Sequence, residues 1–498
     1  MKVDLDGNLP INRYYVQMLC MIYFPGAKFS EENGGNDGLF LDVNVRKEGE
    51  TVRARCTLTA LEKTESAEKE AKIGGDITED RAIKLAIGAA MLAVGDALLS
   101  YRPSWGMLIG VRPSKVAMEK LLEGNSKTRT RKILTSEFFV TPKKAALATD
   151  VALNERAIIG TPDKRDCSIY VSVPFCPSRC AYCSFVSYTS KKLLSLIPEY
   201  LVRVCRDIEK TFEMTEKLGM NVKTVYIGGG TPSVLDASQI KMLLGTINRC
   251  TDVSKLEEFT FEAGRPDTID EEKLAAAAEY GVTRISVNPQ TLCDNVLSGI
   301  GRMHTSDEFY RAYDIARKSG IEYINTDLIA GLPGDNFKTF SASFDKIIEL
   351  APDNITVHTF CVKKSSELIK QGAGIFSRKG GDAGKCVDYS QLRALQNGYK
   401  PYYMYRQKNT VGNLENVGFA KPGAEGLYNI YMMEEIHSIF AVGAGAVTKL
   451  LEYKKAGEGK TRINRIFNPK YPYEYLREDN TDETERLAKE FFGEIFDI

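Results

Sequence analysis

The chain has 498 residues, 43% hydrophobic and 27% charged, enough for two or three domains with cores of their own. Its 66 Lys and Arg balance 66 Asp and Glu, so charge gives no support to nucleic acid or a membrane surface as a general partner. The opening MKVDLDGNLP lacks the apolar run of a secretory signal, and the apolar stretch 85–99, broken by Asp96, falls short of the ~20 residues that span a bilayer.

That stretch therefore reads as a buried helix of a cytoplasmic protein without a transmembrane segment. Residues 1–105 combine it, as a helix from about 79 to 100, with strand-like runs YYVQMLCMIYF, GLFLDVNV and TVRARCTLTAL. This predicts a small α+β domain. Residues 106–165 read as a helical linker region, in which the basic run SKTRTRK (126–132) is a solvated face. Between 166 and 375, apolar β-branched runs recur at 168–174, 223–227, 257–262, 283–287, 322–329 and 354–360. Helical patterns separate most of them, such as Phe337, Phe340, Phe344, Ile347 and Ile348. Strand and helix alternating every ~30 residues predict right-handed parallel βαβ units. Six such units make a partial barrel with a side open to a large substrate. Residues 376–498 read as a C-terminal domain with a charged, glycine-rich loop, the aromatic run YKPYYMYRQKN (399–409), the glycine motif VGAGA (442–446) and a final acidic amphipathic helix.

Chemistry concentrates at the strand ends. VPFCPSRCAYCSF (173–185) places Cys176, Cys180 and Cys183 at C-x3-C-x2-C spacing on the loop leaving the first barrel strand. Eleven cysteines, an odd number without framework spacing, argue against a disulfide in a reducing compartment. Structural zinc takes four ligands, and the three histidines, His304, His358 and His437, stand far away in sequence. Three thiolates suit a [4Fe–4S] cluster with one iron left open. YIGGGTPS (226–233) ends the second strand, where glycines let a backbone approach a ligand and Thr231 offers a hydroxyl. The third, fourth and fifth strand ends carry Glu262, then Asn288 with Gln290, then Asp327. One such residue is as easily a satisfied core group, but a buried carboxylate is costly unless paired. Three at one rim point to a shared ligand.

The cysteine spacing, with Tyr182 just before the last cysteine, resembles the signature of radical S-adenosylmethionine (SAM) enzymes. In that superfamily the open iron chelates the amino and carboxylate groups of SAM, and the reduced cluster splits the sulfonium to give a 5′-deoxyadenosyl radical. From 168 to about 450 the motifs together resemble the oxygen-independent coproporphyrinogen III oxidase family. WGMLIGVRPSK (105–115) and EAGRPDT (262–268) resemble its HemZ-type branch. The resemblance implies an α/β fold: a partial (β/α)6 TIM-type barrel with a small N-terminal α+β domain and a C-terminal α+β extension. It implies a [4Fe–4S] cluster on Cys176, Cys180 and Cys183. It also implies one or two SAM molecules among Tyr170, Tyr182, Gly229, Gly230, Thr231, Glu262, Gln290, Arg302 and Asp327, with Tyr170 near the cluster. An electron donor such as flavodoxin or ferredoxin would be the protein partner.

The implied reaction removes a β-hydrogen, carbon dioxide and one electron from each of two propionates of coproporphyrinogen III, leaving the vinyl groups of protoporphyrinogen IX. A haem carrier without turnover and methyl transfer to a haem-like ring are the alternatives. Two positions depart from the family pattern: Phe185 stands where the oxidase has a fourth cysteine, and LYNIYMMEEIH (427–437) stands where the haem-chaperone branch has an HNxxYW-like motif. The aromatics of 399–409 either line a flat tetrapyrrole pocket, with Arg406 as a catalytic-site cation for a propionate, or form an ordinary strand.

Overall fold

A computed structural model describes residues 1–24, 27–29, 38–75, 77–183, 187–361, 381–407, 410–453 and 461–496. The chain forms two compact units, one made of Met1–Leu153, Gly374–Gly384 and Met404–Glu415, the other of Asn154–Ala373, Lys385–Tyr403 and Asn416–Ile498.

In the first unit β1 (Lys2–Gly7), β2 (Phe40–Glu48), β3 (Thr51–Ala60) and β4 (Lys63–Lys72) form a sheet in that order, parallel between β1 and β2 and antiparallel after that. β3 shows the reason for the sheet: Val52, Ala54, Cys56, Leu58 and Ala60 are buried on one face, while Arg53 and Arg55 point to water. The helix Glu79–Leu99 covers the buried face with Ile83, Ile87, Met91 and Val94. It is apolar and long enough to cross a membrane, yet those side chains are in the core of this unit.

Two local outcomes differ from the sequence pattern. YYVQMLCMIYF is the helix Arg13–Tyr23 rather than a strand. Val16, Leu19, Cys20 and Tyr23 recur at helical spacing and are buried, and Asn12 caps the helix by accepting the Tyr15 N–H at 3.0 Å. β4, KTESAEKEAK, has no apolar alternation at all. It is an edge strand held by its ladder to β3 and by the ion pairs Arg53–Glu70 and Arg55–Glu68. The basic run of 126–132 is on the helix Lys127–Ser136, where Lys127 and Arg131 pair with Asp150 at 2.7 and 2.9 Å.

The second unit carries the expected alternation. β5 (Asp166–Val173), β6 (Asn221–Gly229), β7 (Glu258–Gly264), β8 (Arg284–Val287), β9 (Tyr323–Ala330) and β10 (Asn354–Thr359) pair in parallel and in chain order. Helices Ile197–Lys217, Ala237–Cys250, Glu271–Glu279, Ser306–Lys318 and Phe337–Leu350 connect them. Each strand has two faces. Ile169, Val171, Val225, Ile227, Phe259, Phe261, Ile324, Ile355 and Val357 are buried on one. The alternate positions are polar: Ser168 and Tyr170, Thr224 and Tyr226, Thr260 and Glu262, Asn325 and Asp327, Thr356 and His358. The register aligns these alternates, with Tyr170 opposite Tyr226 and Asp327 opposite Thr356. The polar face is the inner face of the partial barrel.

Beyond β10 the sheet continues through β12 (Asn416–Ala420), antiparallel, to β11 (Lys400–Tyr405). Beyond β5 it continues through β13 (Ser438–Val442), parallel, to β14 (Val447–Glu452) and β15 (Arg462–Phe467), both antiparallel. The result is one eleven-stranded sheet. A six-stranded partial barrel would leave the backbone groups of two edge strands unpaired, and the C-terminal strands take those edges. The compact units therefore do not coincide with the expected boundaries at 105, 165 and 375. The final helix Thr481–Phe496 packs Ala488, Phe491 and Phe492 with Met214, Leu218, Phe440 and Leu450.

Candidate active site at the barrel rim

β5 ends at Val173, and the chain turns at Pro174 into the cysteine loop. The loop is held by its backbone. The Cys176 N–H donates to the Tyr188 carbonyl at 3.1 Å, the Tyr188 N–H to the Pro174 carbonyl at 2.9 Å, and the Ala181 N–H to the Ile300 carbonyl at 3.0 Å. Arg265, just past β7, grips the loop from outside. Its Nη1 reaches the carbonyl and hydroxyl of Ser178 at 3.2 and 2.8 Å, while Nε and Nη2 hold Asp267 at 2.9 and 2.7 Å. The Cys176 thiol meets the Thr231 hydroxyl at 3.2 Å. Burial pushes that thiol up, and charge on Cys183 and Cys180 adds to the effect. Among the described residues no three His, Cys, Asp or Glu side chains converge on a single ion. In a four-iron cluster each thiolate takes a different iron.

The glycine motif at the end of β6 makes room for this loop. The Gly230 N–H donates to the Val173 carbonyl and the Thr231 N–H to the Phe175 carbonyl, both at 2.8 Å. A Cβ on Gly230 would stand 2.5 Å from the Phe175 carbonyl oxygen, and Gly229 has φ +112°. The close approach read from the sequence is thus, in part, an approach to the chain's own backbone.

Inside the barrel, Tyr170, Tyr226 and Tyr428 form a near-parallel stack, with centroids 6.1 Å apart for Tyr170–Tyr226 and 4.6 Å for Tyr226–Tyr428. Glu262 accepts hydrogen bonds from the Tyr226 hydroxyl and the Gly229 N–H. Burial first, and the Asp327 charge second, push its carboxyl up to about 8. Asp327 goes the other way. Burial raises it, but His358, at 3.5 Å, and the Asn325 amide, at 2.7 Å, outweigh burial and hold it below the usual carboxylate range. The Asp327 N–H donates to Asn288 Oδ1 at 3.1 Å. Arg302 donates from Nη1 to the Asn288 carbonyl at 3.3 Å and from Nε and Nη2 to the Tyr182 hydroxyl at 3.3 and 3.1 Å. It thereby ties the end of β8 to the cysteine loop. Gln290 has φ +69° and a buried Oε1 with no partner among the described residues. Such backbone strain costs about 1–3 kcal/mol and tends to be kept where a ligand is held.

Residues 170–347 match the model of the radical SAM superfamily. HemZ of Bacillus subtilis, described as an oxygen-independent coproporphyrinogen-III oxidase-like protein, is 36% identical over 84% of this chain and 84% of its own length. The chain belongs to the radical SAM superfamily, among the oxygen-independent coproporphyrinogen-III oxidase-like proteins. The heme chaperone HemW of Bacillus subtilis is 29% identical over 65% of this chain and 82% of its own. The structure of coproporphyrinogen III oxidase HemN from Escherichia coli covers 67% of this chain and 73% of its own, with 19% identity and a TM-score of 0.49.

Membership in the radical SAM superfamily implies a [4Fe–4S] cluster and SAM, and the residues present fit both. Three cysteines on one pinned loop would supply the thiolates. The unpartnered Gln290 amide oxygen is a buried acceptor that a ligand N–H or O–H would satisfy.

The structure brings together the loop cysteines with Tyr182, Thr231, Gly229, Gly230 and Arg302, and it links Glu262 with Asp327, Tyr226 and Tyr170 across the barrel. Arg406 is not among them. Its Nη1 donates to the Leu108 carbonyl at 2.5 Å, its Nη2 to the Asn413 carbonyl at 3.2 Å, and the guanidinium lies 5.5 Å over the Trp105 ring. Burial lowers it to about 10. The guanidinium is held in this way inside the first unit, and its expected role beside a propionate stays a proposal. The aromatic run is likewise the ordinary strand β11 and its approach, with Tyr399, Tyr402 and Tyr403 all buried. Phe185 and residues 376–380 lie outside the described residues.

Sequence reasoning passed over His358, Tyr226, Tyr428 and the Arg265–Asp267 clamp. A signal existed for His358: in NITVHT the polar residues Asn354, Thr356 and His358 alternate with apolar ones, which places all three on one face. No local pattern announces Tyr428, since it comes from a helix after β12.

Proposed function

We propose that this protein is a radical SAM enzyme of tetrapyrrole metabolism that decarboxylates propionates of coproporphyrinogen III to the vinyl groups of protoporphyrinogen IX. What carries the reading is the polar barrel interior directly beside the three-thiol loop, joined through Arg302 to Tyr182 and through Glu262 to Gly229. Support for the substrate class comes from the relationship to the oxidase-like HemZ protein.

Cys176, Cys180 and Cys183 would hold the cluster. SAM, as one molecule or two, would lie against Gly229, Gly230 and Thr231, among Glu262, Gln290, Arg302 and Asp327. When bound, the pair supplies hydrogen-atom abstraction. Glu262, protonated at neutral pH, can donate its proton in a hydrogen bond, whereas Asp327, ionised, accepts. The two carboxyls thus offer opposite hydrogen-bonding roles side by side. Tyr170, Tyr226 and Tyr428 wall the interior with aromatic faces and exclude water. For each propionate, the β-carbon loses a hydrogen atom, the bond to the carboxyl carbon breaks to release carbon dioxide, and one electron leaves to an external acceptor.

The haem-carrier reading draws on the relationship to HemW. In this chain, however, the 427–437 region is used by the barrel. The Leu427 N–H donates to Glu258 at 2.7 Å, Tyr428 enters the tyrosine stack, and the His437 Nε2 is 2.7 Å from the Ser168 hydroxyl. Anaerobic reconstitution with SAM, reductant and coproporphyrinogen III, followed by mass spectrometry, separates the readings. Successive losses of the mass of formic acid per propionate are expected. SAM cleavage without any vinyl product would overturn the proposal, and stoichiometric haem binding without SAM cleavage would favour the carrier.

A further inference from the structure

Each of the three loop thiols faces a hydroxyl. Cys176 Sγ is 3.2 Å from the hydroxyl of Thr231, which the glycine motif carries in from the end of β6. Cys183 Sγ is 3.9 Å from the hydroxyl of Ser187, and that hydroxyl also hydrogen-bonds the Cys176 thiol. Cys180 is hydrogen-bonded to the hydroxyl of Tyr182. Thr231 and Tyr182 border the barrel interior described above. Ser187 has no part in that interior, and the two thiols are its side-chain partners among the described residues.

The backbone and a neighbouring cation hold these hydroxyls in place. Ser187 and Thr231 are only 5% and 2% exposed. The Thr231 N–H is bonded to the Phe175 carbonyl at 2.8 Å, and Tyr188, next to Ser187, makes two backbone hydrogen bonds with the loop and an isolated β-bridge with Phe175. Tyr182 is oriented by Arg302, whose Nε and Nη2 donate to the phenolic oxygen at 3.3 and 3.1 Å. An oxygen that accepts two N–H groups turns its own proton elsewhere, and here the Cys180 sulfur receives it. Between a free thiol and a hydroxyl either partner can donate. A metal-bound thiolate has no proton, so each hydroxyl must then donate to sulfur. Such bonds draw electron density from the sulfur and stabilise the reduced, more negative cluster, and burial strengthens them.

We infer that Ser187, together with Tyr182 and Thr231, forms a hydroxyl shell that raises the reduction potential of the cluster held by the three thiols. The step it tunes is the uptake of one electron by the oxidised cluster from an external one-electron reductant, with no bond made or broken in the protein. Ser187 is the pivotal member, because one hydroxyl there serves two of the three ligands. Arg302 acts through Tyr182 and is a positioning residue in this shell. The inference rests on the reading that Cys176, Cys180 and Cys183 hold the cluster.

The test uses the full chain, reconstituted anaerobically and kept free of SAM, with dithionite and redox dyes setting the potential. Electron paramagnetic resonance follows the reduced cluster as the potential is lowered. At the potential where half of the wild-type clusters are reduced, Ser187→Ala and Tyr182→Phe should each lower the ratio of reduced to oxidised cluster at least about threefold. Thr231→Val serves as a third variant where one of these fails to take up iron. Ser187→Thr keeps a hydroxyl and should hold the wild-type ratio. Ser178→Ala should hold it too, because that loop hydroxyl faces Arg265 rather than a thiol. Wild-type ratios in the variants that lack a hydroxyl would overturn the inference. A shift of the same size in Ser178→Ala would also overturn it, since loosening of the loop would then be the cause. A wild-type chain that takes up no iron would instead sink the cluster reading on which the inference stands.

Discussion

Cys180 is buried in the loop, with its neighbour Ala181 anchored to Ile300. Cys180→Ala should therefore abolish the absorbance and the electron paramagnetic resonance of the reduced cluster. Cys167→Ala should keep both, because Cys167 is fully buried on the other face of β5 among Met214, Phe440 and Leu450, at a cost of about 1 kcal/mol. A Cys180→Ala protein with a full iron complement would refute the assignment. Glu262 offers a test that needs no cofactor. A glutamate in the unfolded chain titrates at about 4.3, and in the fold it titrates at about 8. Between those values the folded state holds the extra proton, so its contribution to stability is lost as pH rises through that window. Wild-type apoprotein should lose roughly 2 kcal/mol relative to Glu262→Gln between about pH 5 and pH 9, allowing for partial exposure. Parallel melting curves across that range would show that the carboxyl is not held up.

At the scale of elements, the cysteine loop owes its shape to strands that do not carry cysteines. Arg265 after β7 fixes Ser178, and Arg302 after β8 fixes Tyr182. Hydrogen bonds to charged groups of this kind contribute ~1.5–3 kcal/mol each. Arg265→Ala should therefore leave the barrel folded yet loosen the loop, so that a chelator strips iron several-fold faster than from the wild type. Arg265→Lys should restore little, since a single ammonium cannot hold Ser178 and Asp267 in a fork. Iron loss at the wild-type rate in both variants would show that the loop is rigid without the clamp. The same scale explains β4 and the helix Arg13–Tyr23. One is a polar edge strand made by its partner, and the other is an aromatic-rich segment whose spacing, rather than its composition, decided its form.

Across the whole molecule, Arg406 shows how a residue's surroundings determine its role. It sits with Trp105 in a buried knot in which the Trp105 Nε1 donates to Glu415 at 2.7 Å and Lys144 pairs with Glu415 at 2.6 Å. Trp105 is the chain's single tryptophan, so its fluorescence reports on the first unit alone. Arg406→Ala should shift that emission to the red and lower the unit's melting temperature, with a destabilisation of ~2–4 kcal/mol. Iron content and SAM binding should hold. A variant with unchanged tryptophan emission but lost tetrapyrrole turnover would return Arg406 to the substrate.

The sequence by itself determined the six parallel strands, because each strand's period-two alternation and each helix's 3.6-residue stripe are local properties. It also determined the cluster candidates, because three cysteines in eight residues need no fold to become neighbours. Tertiary structure decided the rest. Whether Glu262 is a protonated donor depends first on its burial inside the barrel and then on Asp327, two strands away in the sheet, and whether Asp327 is ionised depends on His358 on the next strand. Those meetings follow from strand order, register and the curvature of the sheet, none of which is written in any single segment. The placement of β11 to β15 on the edges of the barrel is of the same kind: unpaired backbone at a sheet edge is satisfied by whichever strand reaches it, and only the folded chain shows which strand that is.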